Sequence, residues 1–102
     1  MKERILIVDD EEDLTLGWSK CLAKVGYEVK TASSGEEALE ILKHEIFDLV
    51  LLDIRLPEMD GMTVLSKALE NDPDLLVIMI TAHGSVQSAV DAMRIGAYDY
   101  LS

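Results

Sequence analysis

Apolar and polar positions along this chain fall into two recurring patterns. Ile5-Leu6-Ile7-Val8, Leu49-Val50-Leu51-Leu52 and Leu75 to Ile80 are short runs with almost no polar break. Between them lie longer stretches in which apolar residues recur at helical spacing. A short run that is apolar on both faces suits a strand buried in a parallel sheet. The pattern predicts strands at 4–9, 28–32, 47–53, 75–81 and 98–101, with helices at 12–25, 35–44, 63–70 and 85–95. Regular alternation of strand and helix implies an α/β sheet with right-handed crossovers.

The helices carry their own punctuation. The first has Leu14, Trp18, Cys21, Leu22 and Val25 on one stripe, which predicts a core position for Trp18 and Cys21. Gly26 follows as a left-handed stop. The second opens on Ser34-Gly35-Glu36-Glu37, an S-x-x-E capping box, and buries Ala38, Ile41 and Leu42. The third shows Met62, Leu65, Ala68 and Leu69, and ends near Asn71-Asp72-Pro73 because proline disfavours helix at the residue before it. Ser85 caps the fourth, Val86, Ala89, Val90 and Met93 line it, and Gly96 stops it.

Strand character suggests strand order. The first, third and fourth strands are the most apolar and belong in the centre. Glu28-Val29-Lys30-Thr31-Ala32 mixes polar and apolar residues and suits an edge; the short fifth strand suits the other. Order 2-1-3-4-5 satisfies both, with its topological switch point between strands one and three. Ligands of such sheets bind at the carboxyl ends of the strands beside that point.

Composition narrows the function. At 102 residues and 49% hydrophobic, the chain reads as one domain, 1–102, with a real core. Its formal net charge of −11 argues against direct nucleic-acid binding and against an anionic membrane surface. No apolar run is long enough to span a bilayer. A single cysteine excludes an internal disulfide and fits a reducing cytoplasm.

The candidate chemistry lies at strand ends. The first strand runs into Asp9-Asp10 and the third into Asp53, which brings three carboxylates to one rim. Such clustering is unfavourable without a cation, and Mg2+ is the usual hard ion beside phosphate chemistry. Asp10 is expected to bind the ion directly, and Asp9 directly or through water. Asp53 is the best nucleophile, since a carboxylate can attack phosphorus. Helix capping by Asp10, with Glu11, Glu12 and Asp13 complementing the helix dipole, is the plainer alternative. It leaves Asp53 unexplained, because Ile54-Arg55-Leu56-Pro57 does not start a helix.

Three segments together carry a resemblance: Ile7-Val8-Asp9-Asp10-Glu11, Leu52-Asp53-Ile54-Arg55-Leu56-Pro57-Glu58-Met59-Asp60-Gly61, and Ile80-Thr81-Ala82-His83-Gly84. In order and at strand ends, they resemble the receiver domains of two-component response regulators along the whole chain. With Gly96-Ala97-Tyr98-Asp99-Tyr100-Leu101, the last segment looks most like receivers of enhancer-binding activators that work with the sigma-54 factor. The resemblance implies a flavodoxin-like doubly wound five-stranded parallel sheet, for which the order 2-1-3-4-5 is already known. It implies Asp53 as phosphoacceptor for a sensor histidine kinase. It also implies Mg2+, with Mn2+ able to substitute, held by Asp9, Asp10, Asp53 and the backbone carbonyl of Arg55. Thr81 becomes the hydroxyl that bonds the phosphoryl oxygen and Tyr100 the switch aromatic. Small Ala82 leaves room for the phosphate, and Gly61, in the loop after Asp53, is expected to need a positive φ. His83 either tunes hydrolysis or stays in solvent. The Arg55 side chain either leans over the site or points to water.

The resemblance also implies a lysine, a proline and a fifth helix beyond Ser102, and a C-terminal output domain for transcriptional control. Read that way, the domain is incomplete at its C-terminus, Ile5, Ile7 and Leu101 lose their cover, and a homodimer or exchanged oligomer becomes possible. Rival functions are a binding-only receiver and an aspartyl-phosphate phosphatase. The phosphatases pair their nucleophile with an aspartate two residues on, where this chain has Arg55.

Overall fold

The structure is a computed structural model that describes residues 2–81 and 84–101. Its elements run β1 (Arg4–Val8), α1 (Glu12–Val25), β2 (Glu28–Ala32), α2 (Gly35–His44), β3 (Leu49–Leu52), α3 (Gly61–Asn71), β4 (Val77–Ile80), α4 (Val86–Ile95) and β5 (Asp99–Leu101). The strands form one parallel sheet in the order β2-β1-β3-β4-β5, as strand character predicted. Register places Val8 beside both Ala32 and Leu52, and Leu52 beside Met79, so the central strands end nearly level.

Side chains alternate between the two faces of the sheet. Leu6, Val8, Val50, Leu52, Val77 and Met79 face a core completed by Ala38 of α2, Val64, Leu65 and Ala68 of α3, and Ala92 of α4. Ile5, Ile7 and Leu51 face the other way, with Leu22 of α1 and Tyr27 packed against them.

Two expectations about that second face fail. Ile5 and Ile7 are buried, against the expectation that they lose their cover, while Leu101 is 48% exposed as expected. Trp18 is 40% exposed and Cys21 is exposed, so neither is a core residue. Helical periodicity identifies an apolar stripe but not what covers it. Helix α1 packs on β1 and β2 through Thr15 and Leu22, and leaves Leu14, Trp18, Cys21 and Val25 exposed.

The caps follow the sequence with small revisions. Gly26 (φ 111°) and Gly96 (φ 128°) adopt the positive φ expected of helix stops. Ser34 accepts from the Glu37 amide, but the Glu37 carboxylate accepts from Ser33 N–H rather than from Ser34, which makes the capping box an offset one. Helix α3 begins at residue 61 instead of 63, because Asp60 accepts the Thr63 amide at 2.9 Å and caps it earlier. Strands β3 and β4 are shorter than predicted. Phe47 and Leu75, expected in them, are buried in the connections instead.

A polar clamp fastens the other end of the sheet. Arg4 pairs with Glu28 and Glu45, each at 2.6 Å, bonds the Ile46 carbonyl, and lies over the Phe47 ring. Lys30 also meets Glu45. Paired in this way, Glu45 is held below the ordinary carboxylate range, first by Lys30 and then by Arg4. The clamp ties β1, β2 and the α2–β3 connection together, far from the acidic rim.

Candidate functional site

Each strand-end residue is held by the strand beside it. The Asp9 amide donates to the Ala32 carbonyl at 3.1 Å, the Asp53 amide to Val8 at 3.0 Å, and the Thr81 amide to Leu101 at 3.1 Å. The ladder thus extends one residue beyond β1, β3 and β4, and fixes the backbone of these site residues before any side chain acts.

Asp9, Asp10 and Asp53 converge as the sequence predicted. One carboxylate oxygen from each lies within 4.8 Å of the others. Mg–O bonds of about 2.1 Å separate opposite ligands of an octahedron by about 4.2 Å. The cluster therefore needs only slight closure, or a bridging water, to hold such an ion. Three hard oxygen donors and no sulfur or imidazole make the set suitable for Mg2+ or Mn2+.

The three acids differ in environment. Asp10 is exposed and Asp53 is half-buried. Asp9 is 9% exposed. Burial pushes its carboxyl above the ordinary value of 3.8; the Glu11 amide opposes that shift, while Asp53, Glu11 and Asp10 add to it. Asp10 does not cap α1. The N-cap is Glu11, which makes no side-chain cap, and Asp9 accepts the Glu11 amide at 2.9 Å.

The loop after β3 shapes the surroundings of Asp53. The Arg55 amide donates to Asp53 Oδ1 at 3.3 Å, and the Arg55 residue is exposed. Gly61 does not have a positive φ; Glu58 does, at 65°. What requires glycine at position 61 is close approach. A Cβ there would lie 2.1 Å from the Asp53 carbonyl oxygen and 2.7 Å from Ile54 Cα. The Gly61 amide donates to Ile54 at 2.7 Å, so the start of α3 sits directly on the Asp53–Ile54 backbone.

Thr81 is buried at the end of β4, one residue past the level of Asp53. Tyr100 on β5 is half-buried against the main core, and its hydroxyl meets Ser88 Oγ at 2.7 Å. Ala82 and His83 lie outside the described residues. Sequence reasoning overlooked Ser88, although Ser85-x-x-Ser88 has capping-pair spacing. The role of Asp60 as the α3 cap was legible in the same way and was also missed.

Fold and site together define a class: a small parallel α/β domain whose switch point gathers three carboxylates beside a strand-end hydroxyl. The chain belongs to the response regulator receiver domain family, whose model matches residues 5–102. It is 46% identical over 98 residues to the alginate biosynthesis transcriptional regulatory protein AlgB of Pseudomonas aeruginosa, covering 96% of this chain and 22% of that protein. The chain thus spans about a fifth of the length of this curated relative. A response regulator from Burkholderia pseudomallei, solved with a phosphorylated aspartic acid, a calcium ion and citrate, superposes with a TM-score of 0.93 at 28% identity, over 98% of this chain and 59% of that one. TrrA of Thermotoga maritima, solved in complex with Mg(2+)-BeF, superposes with a TM-score of 0.88 at 34% identity, over 97% of this chain and 84% of that one. Receivers are signalling domains, and the transcriptional relative agrees with the resemblance noted in the sequence. No helix among the described residues is long and apolar enough to cross a membrane.

Proposed function

We propose that this domain accepts a phosphoryl group on Asp53 from the phosphohistidine of a sensor histidine kinase, and that the modified state controls a transcriptional output domain. The convergence of Asp9 and Asp10 on Asp53, the one of the three that no helix closely follows, carries this reading. A carboxylate oxygen of Asp53 attacks phosphorus; the O–P bond forms as the P–N bond breaks, and the electron pair returns to the imidazole. Asp9, Asp10, Asp53 and the Arg55 carbonyl would hold Mg2+ or Mn2+, which supplies positive charge against the carboxylates and the incoming phosphoryl oxygens.

The chain's own residues do the rest. Gly61 and the sheet ladder fix the Asp53 backbone. Thr81, at the adjacent strand end, donates its hydroxyl to a phosphoryl oxygen. Its inward movement vacates space that an inward Tyr100 ring fills, a shift between two existing states. Transfer to Asp53 and later attack of water on the acyl phosphate are the only chemistry assigned; no outside metabolite is turned over.

Labelling with a small phosphodonor tests the acceptor. The label should be acyl phosphate, released by hydroxylamine, and should map to Asp53. Full labelling of Asp53→Ala, or label on serine, threonine or histidine, would overturn the assignment.

A further inference from the structure

Gly84, Ser88 and Tyr100 meet where β5 passes the start of α4. A Cβ on Gly84 would lie 2.1 Å from the Tyr100 hydroxyl, 3.0 Å from Tyr100 Cζ and 3.1 Å from Thr81 Cγ2. The phenol therefore occupies space that any side chain at position 84 would take. On its far side the hydroxyl meets Ser88 Oγ at 2.7 Å.

Ser88 is also half of the α4 capping box. Its hydroxyl donates to the Ser85 carbonyl at 3.0 Å and accepts from the Ser85 amide at 2.9 Å, while the Ser88 amide donates to Ser85 Oγ at 3.1 Å. A serine hydroxyl has one proton and two lone pairs. The Ser85 hydroxyl also reaches Ser88 Oγ, at 3.2 Å, so the Ser88 hydroxyl is shared between the cap and the phenol, and either hydroxyl of the Ser88–Tyr100 pair can be the donor.

We propose that Gly84 and Ser88 are positioning residues for Tyr100: glycine makes the slot, and Ser88 ties the ring to the first turn of α4, so ring and helix cap move as one unit. An outward swing of the ring breaks a bond to one member of the capping box, and a change in the cap releases the ring. The Thr81 methyl borders the same slot, so a displacement of Thr81 reaches the helix through the phenol. The contact stands by itself; its role in signalling rests on the receiver reading above.

Backbone amide exchange in the first turn of α4, read by NMR without phosphodonor, tests the tether. Tyr100→Phe, which removes only the hydroxyl, should speed exchange at Ser88 and Ala89 roughly 2- to 10-fold, the worth of one net hydrogen bond. Ser88→Ala should speed it more, Ser88→Thr should largely restore it, and the Ser88→Ala/Tyr100→Phe double variant should match Ser88→Ala alone. Gly84→Ala should shift the Tyr100 ring signals and reproduce the Tyr100→Phe exchange. Unchanged exchange in Tyr100→Phe, additive acceleration in the double variant, or unmoved ring signals in Gly84→Ala would overturn the proposal. Adding Mg2+ and beryllofluoride separates the two readings. Shifts across 86–93 in the wild type that shrink in Tyr100→Phe support the signalling role. If the wild type is unresponsive, the receiver reading fails while the exchange data still decide the tether. Full-sized shifts in Tyr100→Phe overturn the tether's part in signalling.

Discussion

Asp9 is harder to ionise in the fold than in the unfolded chain, because burial and the neighbouring acids favour its protonated form. As pH rises past the ordinary carboxylate value of 3.8, the unfolded chain loses this proton first, so metal-free stability falls until the folded carboxyl has also ionised. Asp9→Asn should flatten that part of the slope in urea midpoints taken from about pH 3 to 7; an unchanged slope would contradict the burial account. Gly61→Ala forces a methyl onto the Asp53 carbonyl and Ile54 Cα, neither of which is a flexible side-chain end. Overpacking of that kind costs about 1–3 kcal/mol, which denaturant unfolding would detect, and it should slow phosphorylation as well. The acids were legible in the sequence because they end apolar runs. The reason for Gly61 was not, since close approach of α3 to β3 depends on tertiary packing, and local sequence suggested a positive φ that Glu58 adopts instead.

At the scale of elements, boundaries follow caps. Asp60 starts α3, and α3 places Gly61 on the Asp53 backbone, so the cap supports the candidate site as well as the helix. Asp60→Ala should cost about 1 kcal/mol of stability by denaturant melts. It should also disturb amide shifts at Asp53 and Ile54; a change confined to α3 would show that the cap and the site are independent. Strand order was legible because edge and centre differ in polarity. The fate of α1 was not. Periodicity gave Trp18 and Cys21 an apolar stripe, but only the packing of α1 toward β2 shows which part of that stripe is buried. The Arg4 clamp escaped notice for the same reason, because its partners Glu28 and Glu45 are distant in sequence.

For the whole molecule, the acidic rim links folding to the cation. Three converging carboxylates on a chain of net charge −11 oppose folding, and a bound cation would relieve that repulsion. Mg2+ at about 100 times its dissociation constant should raise stability by about 2.7 kcal/mol. Asp10→Asn should be more stable without metal and gain less from it; unchanged metal affinity in that variant would remove Asp10 from the site. The central claim is that Asp53 is a phosphoacceptor served by this rim. Intact mass after incubation with Mg2+ and a small phosphodonor tests it most directly. The expected result is one added phosphoryl group, absent without Mg2+ and absent from Asp53→Asn; equal addition in that variant, or none in the wild type, would contradict the claim.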